Sequence, residues 1–493
     1  MKLFHRASTH GDRIAFRTPD ADRTYDELVI AAEEIAAMLL NGDADLAEAR
    51  IAFLAPAGFD YAAAQWGIWR AGGVAVPLSL SATPPELAYT LSDSGASVLL
   101  ASASHAASLV SVAAAAGIPL LTIESAAGTV RRALPALGPE RRALMLYTSG
   151  TTNKPKGVLT THANVEAQIT TLIEAWRWRA DDRIPLFLPL HHIHGIINVQ
   201  SCALWAGALI EPFPKFDLST LLPRVAVGAY TVFMAVPTIY VKLIEHLDAL
   251  SETERGPVVA GFGRMRLMVS GSAALPASVH EAWTRLTGQK LLERYGMTEI
   301  GMGLSNPYEG ERRPGMVGQP LPGVEVRLKA ENGAIITTEG EPGEILVRGP
   351  SVFQSYWNRP EATAESFEEG WFRTGDMAVV EDGYYRIMGR LSVDIIKSGG
   401  YKLSALEIEA VLLEHPSIRE CAVVGIPDAT WGEAVSAAVV LAPGELLTLE
   451  DLRAWCGDRL SSYKRPSRLL VVGDLPRNAM GKVTKPAVVA LFR

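Results

Sequence analysis

The sequence predicts an α/β protein. A large N-terminal domain of layered βα units carries a small β-rich, barrel-like subdomain, and a small α+β C-terminal domain follows. Three observations predict this. Short β-branched runs alternate with Ala-rich helical stretches through most of the chain, the rhythm of parallel βα units. After Gly315 the texture changes, with dense Gly and Pro among short apolar runs. From Gly389 onward the order reads helix, strand, strand, helix. The length of 493 residues suits two to four domains at roughly 150 residues each.

Taken in order, Arg50–Leu54, Gly73–Pro77, Ser97–Leu100 and Pro119–Ile123 read as strands, with Tyr61–Ala71 and Pro85–Ser92 as helices between them. The pattern returns at Thr231–Ala235 and Met265–Ser270. Val324–Leu328 and Gly343–Val347 read as antiparallel strands. In the last region we expect helix Ala405–His415, strands Ala422–Ile426 and Val435–Leu441, and helix Leu449–Leu460. The expected division is an N-terminal domain over 1–388, with the β-rich subdomain from about 315 to 388, a hinge over 389–394, and a C-terminal domain over 395–493.

Composition narrows the class. Hydrophobic residues make up 48%, enough for large cores. The net charge of -8 argues against nucleic acid or an anionic membrane as the main partner, because both select a basic face. Cys202, Cys421 and Cys456 are far apart and show no metal spacing, so buried, inert thiols in a reducing cytoplasm are expected. The opening residues show no apolar signal-peptide core. The apolar stretch from Val98 to Leu121 is interrupted by Ser102, Ser104, His105, Ser108 and Ser111 and broken at Gly117-Ile118-Pro119, so it reads as strand, helix, strand rather than a membrane span.

The strand Ala143–Tyr147 runs into Thr148-Ser149-Gly150-Thr151-Thr152-Asn153-Lys154-Pro155-Lys156-Gly157. Glycines and small hydroxyl residues let backbone N–H and side-chain O–H groups surround an anion. Lys156 adds a point charge suited to phosphate. The loop lacks the spacing of a Walker A motif.

This loop resembles the phosphate-binding signature of the adenylate-forming superfamily of acyl-CoA synthetases, adenylation domains and luciferases, with Asn153 where the family usually has Gly. Further matches follow in family order. Pro189–Gly195 resembles the wall of the acyl pocket, and Ser270–Pro276 the segment flanking adenine, with Ser272, Ala273 and Ala274 beside the nucleotide. Tyr295-Gly296-Met297-Thr298-Glu299 resembles the motif whose Tyr stacks on adenine, whose Thr contacts the α-phosphate and whose Glu reaches Mg²⁺. Trp371–Asp376 resembles the ribose motif, with Asp376 accepting the two ribose hydroxyls. Gly389-Arg390 resembles the hinge motif, and Asn478–Lys482 the loop carrying a catalytic lysine.

The resemblance covers essentially the whole chain and implies two steps: a carboxylic acid is adenylated by ATP, then passed to coenzyme A. It implies catalytic roles for Lys482, Lys156, Thr298 and Glu299. ATP and AMP would be held by Thr148, Ser149, Gly150, Thr151, Thr152, Glu293, Tyr295, Gly296, Met297, Asp376 and Arg390 beside the adenine segment. A mobile C-terminal domain would pivot at Asp394 and bring Lys397, Ser398, Gly399 and Gly400 to the thioester step.

The acid is indicated by charge. Arg294 precedes the adenine tyrosine, and a buried guanidinium is costly unless an anion meets it. That points to a second carboxylate on the substrate, met by Arg294, and His192, His194 and Ser270 are the further residues expected round the acid. With Leu190–Gly195, Glu293–Tyr295 and Ser392–Lys397, the pattern resembles the malonyl-CoA synthetases, which implies malonate or methylmalonate as the acid. His191, His192 and His194 lack the spacing and supporting carboxylate of a zinc site. The alternatives are a synthetase for another short or aryl acid, and a free-standing adenylation enzyme that loads a carrier protein. Only Val483–Arg493 follow Lys482, and no carrier attachment segment is seen there.

Overall fold

The computed structural model describes residues 2–131, 133–148, 154–399, 401–477 and 483–492, and their strands form five sheets. In the largest, strands Arg142–Thr148, Val74–Pro77, Arg50–Leu54, Val98–Ala101 and Leu120–Thr122 lie side by side and parallel. Alternate residues of a strand face opposite ways. Ile51 and Phe53 therefore join the core built on helix Phe59–Arg70, while Ala52 and Leu54 pack with Leu87, Leu91, Leu109 and Val112 of helices Pro84–Ser94 and Ala103–Ala116. Burial on both faces explains why these strands read as continuous apolar runs. At one edge, Arg142–Thr148 turns back into the antiparallel strand Lys156–Thr161, and Ser355–Tyr356 adds outside it.

A second sheet sets Val232–Ala235, Leu267–Ser270 and Leu292–Met297 parallel, then adds Gly301–Ser305 and Gln319–Pro320 antiparallel. A smaller sheet joins Ile14–Arg17 to Leu209–Pro212. The Gly-rich region folds into a six-stranded antiparallel sheet that ends in the hairpin Trp371–Glu381 and Tyr384–Arg390. The C-terminal domain has its own sheet and its own apolar clusters, built on the long hairpin Ile418–Asp428 and Gly432–Leu441.

Several elements differ in extent from expectation. The first hairpin strand is longer than Ala422–Ile426, because its polar ends remain paired across the ladder. The helix expected to reach His415 stops at Leu412, since Pro416 disfavours helical geometry at the residue before it. The last long helix covers Leu449–Trp455 rather than reaching Leu460, and Gly457 supplies the poor helix former beyond its end. Cys202 and Cys456 are buried, whereas Cys421 is part-exposed and its thiol donates to the Glu409 carbonyl. Among the described residues, no helix is long and apolar enough to cross a membrane.

Candidate active site

The expected phosphate, adenine and acid residues lie where parallel strands of the largest sheet and of the second sheet end, the usual place for a ligand in an open α/β sheet. Thr148 closes its strand directly opposite Lys156 on the return strand. Ser149, Gly150, Thr151 and Thr152 between them lie outside the described residues. The Lys156 ammonium sits 4.8 Å from the centroid of the Tyr356 ring. The Tyr356 hydroxyl donates to Glu299 Oε1 at 2.9 Å. One tyrosine thus ties the expected phosphate lysine to the expected metal carboxylate. Sequence reasoning missed Tyr356, which carries no local signal. Pairing of Tyr356 with Val158 brings it there.

Burial pushes the Glu299 carboxyl up, and the Tyr356 hydrogen bond, Arg390 and Lys156 oppose that shift. Among the described residues, no three His, Cys, Asp or Glu side chains cluster as a metal cage. A single buried carboxylate facing a phosphate site suits Mg²⁺, which takes one or two carboxylates and completes its shell with substrate phosphates and water.

Tyr295, Gly296 and Met297 end the strand Leu292–Met297, with an irregularity between Tyr295 and Gly296 where it pairs with Gly301–Ser305. A Cβ on Gly296 would lie 2.1 Å from the Gly301 carbonyl, so only glycine allows this crossing. Thr298 follows, part-buried, in the turn before Glu299. The Tyr295 hydroxyl donates to Asp376 Oδ2 at 2.5 Å, and Arg390 Nε lies 3.6 Å from Asp376 Oδ1. Burial pushes the Asp376 carboxyl up, while Tyr295 and Arg390 pull it back. The expected adenine, ribose and hinge-motif residues are therefore in direct contact.

Glu293 is buried and accepts the Gly315 N–H on Oε1 at 3.0 Å, so it fixes the loop leading into the β-rich subdomain. Burial raises its carboxyl to about 8.

The acid side is built round Arg294, 4% exposed on the strand beside Leu267–Ser270. Its Nη2 donates to Ser272 Oγ at 3.3 Å, and its Nε has no hydrogen-bond partner among the described residues. No carboxylate answers it there, and burial pushes it down to about 9. Gly271 leaves the space the guanidinium occupies, since a Cβ there would lie 2.5 Å from Arg294 Cζ. Ser272 stands exposed at the rim with φ of 72°, a left-handed backbone that is uncommon outside glycine. Its hydroxyl also meets His194 Nδ1 at 3.1 Å. Ser272, expected beside adenine, thus turns its side chain toward the acid residues, whereas Ala273 and Ala274 are exposed.

His194 opens a π-helix, His194–Ser201, a rare form that is frequent at functional sites. Its Nε2 is buried without a partner among the described residues, and burial, with Arg294 and His192 nearby, pushes its pKa well down. A neutral His194 can offer that nitrogen to a ligand. The buried Ser270 hydroxyl likewise has no partner among the described residues. His192 is part-buried, its ring 4.1 Å from that of His191.

Beyond Arg390, the Asp394 carboxylate accepts the Arg390 N–H at 3.0 Å. Lys397 pairs with Glu331 of the β-rich sheet region at 3.2 Å rather than with the nucleotide group. Ser398 is buried, and Gly399 donates its N–H to the Trp431 carbonyl at 2.9 Å. Gly400 and Lys482 lie outside the described residues.

Comparison with known proteins identifies the family. A family model described as AMP-binding enzyme matches residues 3–357, and one described as AMP-binding enzyme C-terminal domain matches residues 407–482. The mitochondrial malonate–CoA ligase of Homo sapiens is 45% identical over 99% of this chain and 92% of its own. A crystal structure of ATP-bound MatB from Rhodopseudomonas palustris is 34% identical, with a TM-score of 0.89 over 99% of this chain and 98% of that one. A malonyl-CoA ligase product complex with methylmalonyl-CoA and AMP is 38% identical, with a TM-score of 0.69 over 95% and 97% of the two chains.

Proposed function

This chain belongs to the AMP-binding enzyme family, and we propose that it is an ATP-dependent malonate–CoA ligase that also accepts methylmalonate. In the first step a malonate carboxylate oxygen attacks the α-phosphorus of ATP and diphosphate leaves. In the second, the CoA thiolate attacks the acyl carbon of malonyl adenylate, AMP leaves, and malonyl-CoA is released. A carboxylate is already nucleophilic at neutral pH, so the protein's task is to position the reactants and offset their charge. Lys156 and Lys482 supply fixed positive charge, Thr298 contacts the phosphate, and Glu299 would hold Mg²⁺, which neutralises phosphate charge when bound. Tyr295 stacks on adenine beside Gly296 and Met297, and Asp376 with Arg390 takes the ribose.

One observation carries the choice of acid. Arg294 is buried with no carboxylate partner among the described residues, beside Ser272, His194 and the unpartnered Ser270 hydroxyl. A monocarboxylate leaves that guanidinium unpaired, whereas the second carboxylate of malonate forms a charge-assisted pair with it. The substrates printed for the human relative and for the product complex support the same assignment.

The working division is 1–388, a hinge over 389–394 pivoting at Asp394, and 395–493. The higher TM-score against the ATP-bound structure, despite its lower identity, supports placing the described arrangement at the adenylation step. Rotation would then exchange the Lys482 face for Lys397, Ser398, Gly399 and Gly400. Three free cysteines support a reducing compartment, which we take to be the cytoplasm.

A panel of acids scored by AMP and acyl-CoA formation tests the proposal. Malonate should exceed acetate, propionate and butyrate by about 10⁴ in kcat/KM, the scale on which polar sites reject analogues lacking a partner group. Arg294→Ala should remove most of that ratio. Equal proportional losses for malonate and acetate would sink the dicarboxylate assignment.

A further inference from the structure

The hinge carries a buried ion triad whose members come from three separate segments. Asp394 Oδ1 lies 2.9 Å from Lys485 Nζ, and the same ammonium lies 2.7 Å from Glu409 Oε1. The three side chains are only 11–14% exposed. Asp394 Oδ2 meanwhile accepts the Arg390 N–H, from the last residue of the β-rich hairpin. The Asp394 carboxylate therefore joins hinge backbone at the end of the β-rich hairpin to a C-terminal side chain.

The surroundings fix each member. Glu409 lies on helix Ala405–Leu412, and its Oε1 also accepts the Val423 N–H at 2.7 Å. Lys485 opens helix Lys485–Ala490, just after the bridge between Arg477 and Val483. The Thr484 N–H, next to it, donates to the Pro476 carbonyl at 2.9 Å. Gly389, at φ of 120°, lets the chain pass, since a Cβ there would lie 2.4 Å from Asp394 Cβ. Burial alone would lower the Lys485 ammonium, but Glu409 and Asp394 more than reverse it, so the lysine keeps its charge, while burial pushes the Glu409 carboxyl up against the pull of Lys485.

We propose that Lys485 is a positioning residue for adenylation: its ion pair with Asp394 latches the C-terminal domain in the arrangement used by the first step. This rests on the two-step ligase reading above. A pivot at Asp394 turns its φ or ψ. A change in φ swings the carboxylate away from Arg390, and a change in ψ swings the segment leading to Glu409 and Lys485 away from the carboxylate. The carboxylate cannot keep both contacts through such a turn. A turn in ψ breaks the Lys485 contact, so loss of that contact then disfavours the adenylation arrangement and leaves the thioester arrangement unchanged, whereas a turn in φ keeps it in both and gives no difference between the half-reactions.

Single removal of Lys485 leaves Glu409 buried and unpaired, which threatens folding. The test therefore uses the double variant Lys485→Met/Glu409→Gln and the single variant Asp394→Asn, which retains the Lys485–Glu409 pair. Adenylation is read as diphosphate release with ATP and malonate, and transfer as thioester formation from preformed malonyl adenylate and CoA. Both variants should lose adenylation by about 5–150-fold, the range of a typical coupling between sites, with transfer little changed. Combining all three substitutions should give no further loss. Equal damage to the two half-reactions, or additive losses, overturns the latch. Wild type that releases no diphosphate with malonate overturns the acid assignment instead, and the partition is then read with whichever acid supports release.

Discussion

Glu293 and Arg294 are neighbours on one strand, so their side chains face opposite ways, and burial acts on them in opposite senses. The Glu293 carboxyl is held up at about 8 against an ordinary value of 4.5. Between those values the folded state keeps a proton that the unfolded chain has lost, so this residue makes stability fall as pH rises through that window. Glu293→Gln keeps an acceptor for the Gly315 N–H and removes the ionisation. The variant should be more stable than the parent at pH 8 by about 1–3 kcal/mol, the scale of desolvating an imperfectly paired polar group. The gap should close below pH 4.5, as followed by calorimetric Tm at stepped pH. A constant gap across that range means that Glu293 does not titrate as its burial implies. The Arg294 charge was legible from its motif, but its lack of a carboxylate partner was not, because that depends on everything folded around it. Tyr356 was illegible for a related reason: only sheet pairing brings it between Lys156 and Glu299.

At the scale of elements, hydrophobic period located the parallel strands well, since strands buried on both faces leave unbroken apolar runs. It could not reveal the π-helix His194–Ser201, whose sequence carries no separate period. Nor could it give the close approach of strand Leu292–Met297 to the turn after Leu267–Ser270, where Gly271 abuts Arg294. That packing gives a direct test. Gly271→Ala sets a methyl group 2.5 Å from Arg294 Cζ, so the buried guanidinium must move. A misplacement of about 1 Å can cost about 10²-fold in rate, and kcat/KM for malonate should fall on that scale. The Kd for ATP, measured calorimetrically, should stay within about twofold, because the displaced group is the one proposed to meet the acid rather than the nucleotide. An equal loss of ATP affinity means that the substitution has disturbed the adenine segment as a whole.

For the whole molecule, contacts that join distant parts were the least legible. The phosphate sheet borrows Ser355–Tyr356 from beyond the second sheet, and Lys485 reaches back to Asp394, pairings that no local pattern announces. What the sequence did convey was the order of the motifs, and that order implies two chemically distinct faces served by one C-terminal domain. We propose that Lys482, which lies outside the described residues, serves the first face, where charge develops on the reacting phosphate. Lys482→Ala should therefore slow diphosphate release by about 10²–10³, the scale for removing one preorganised electrostatic contact at a reacting centre. Transfer from preformed malonyl adenylate to CoA has no such charge to offset at the departed diphosphate, and the proposed rotation would carry this lysine away from the substrate. Its rate should change by less than about threefold, well under one 1.4 kcal/mol decade. Rapid-quench measurement of both half-reactions separates the outcomes. Comparable losses in the two steps would place Lys482 at both, and the alternation of faces about Asp394 would have no remaining chemical basis.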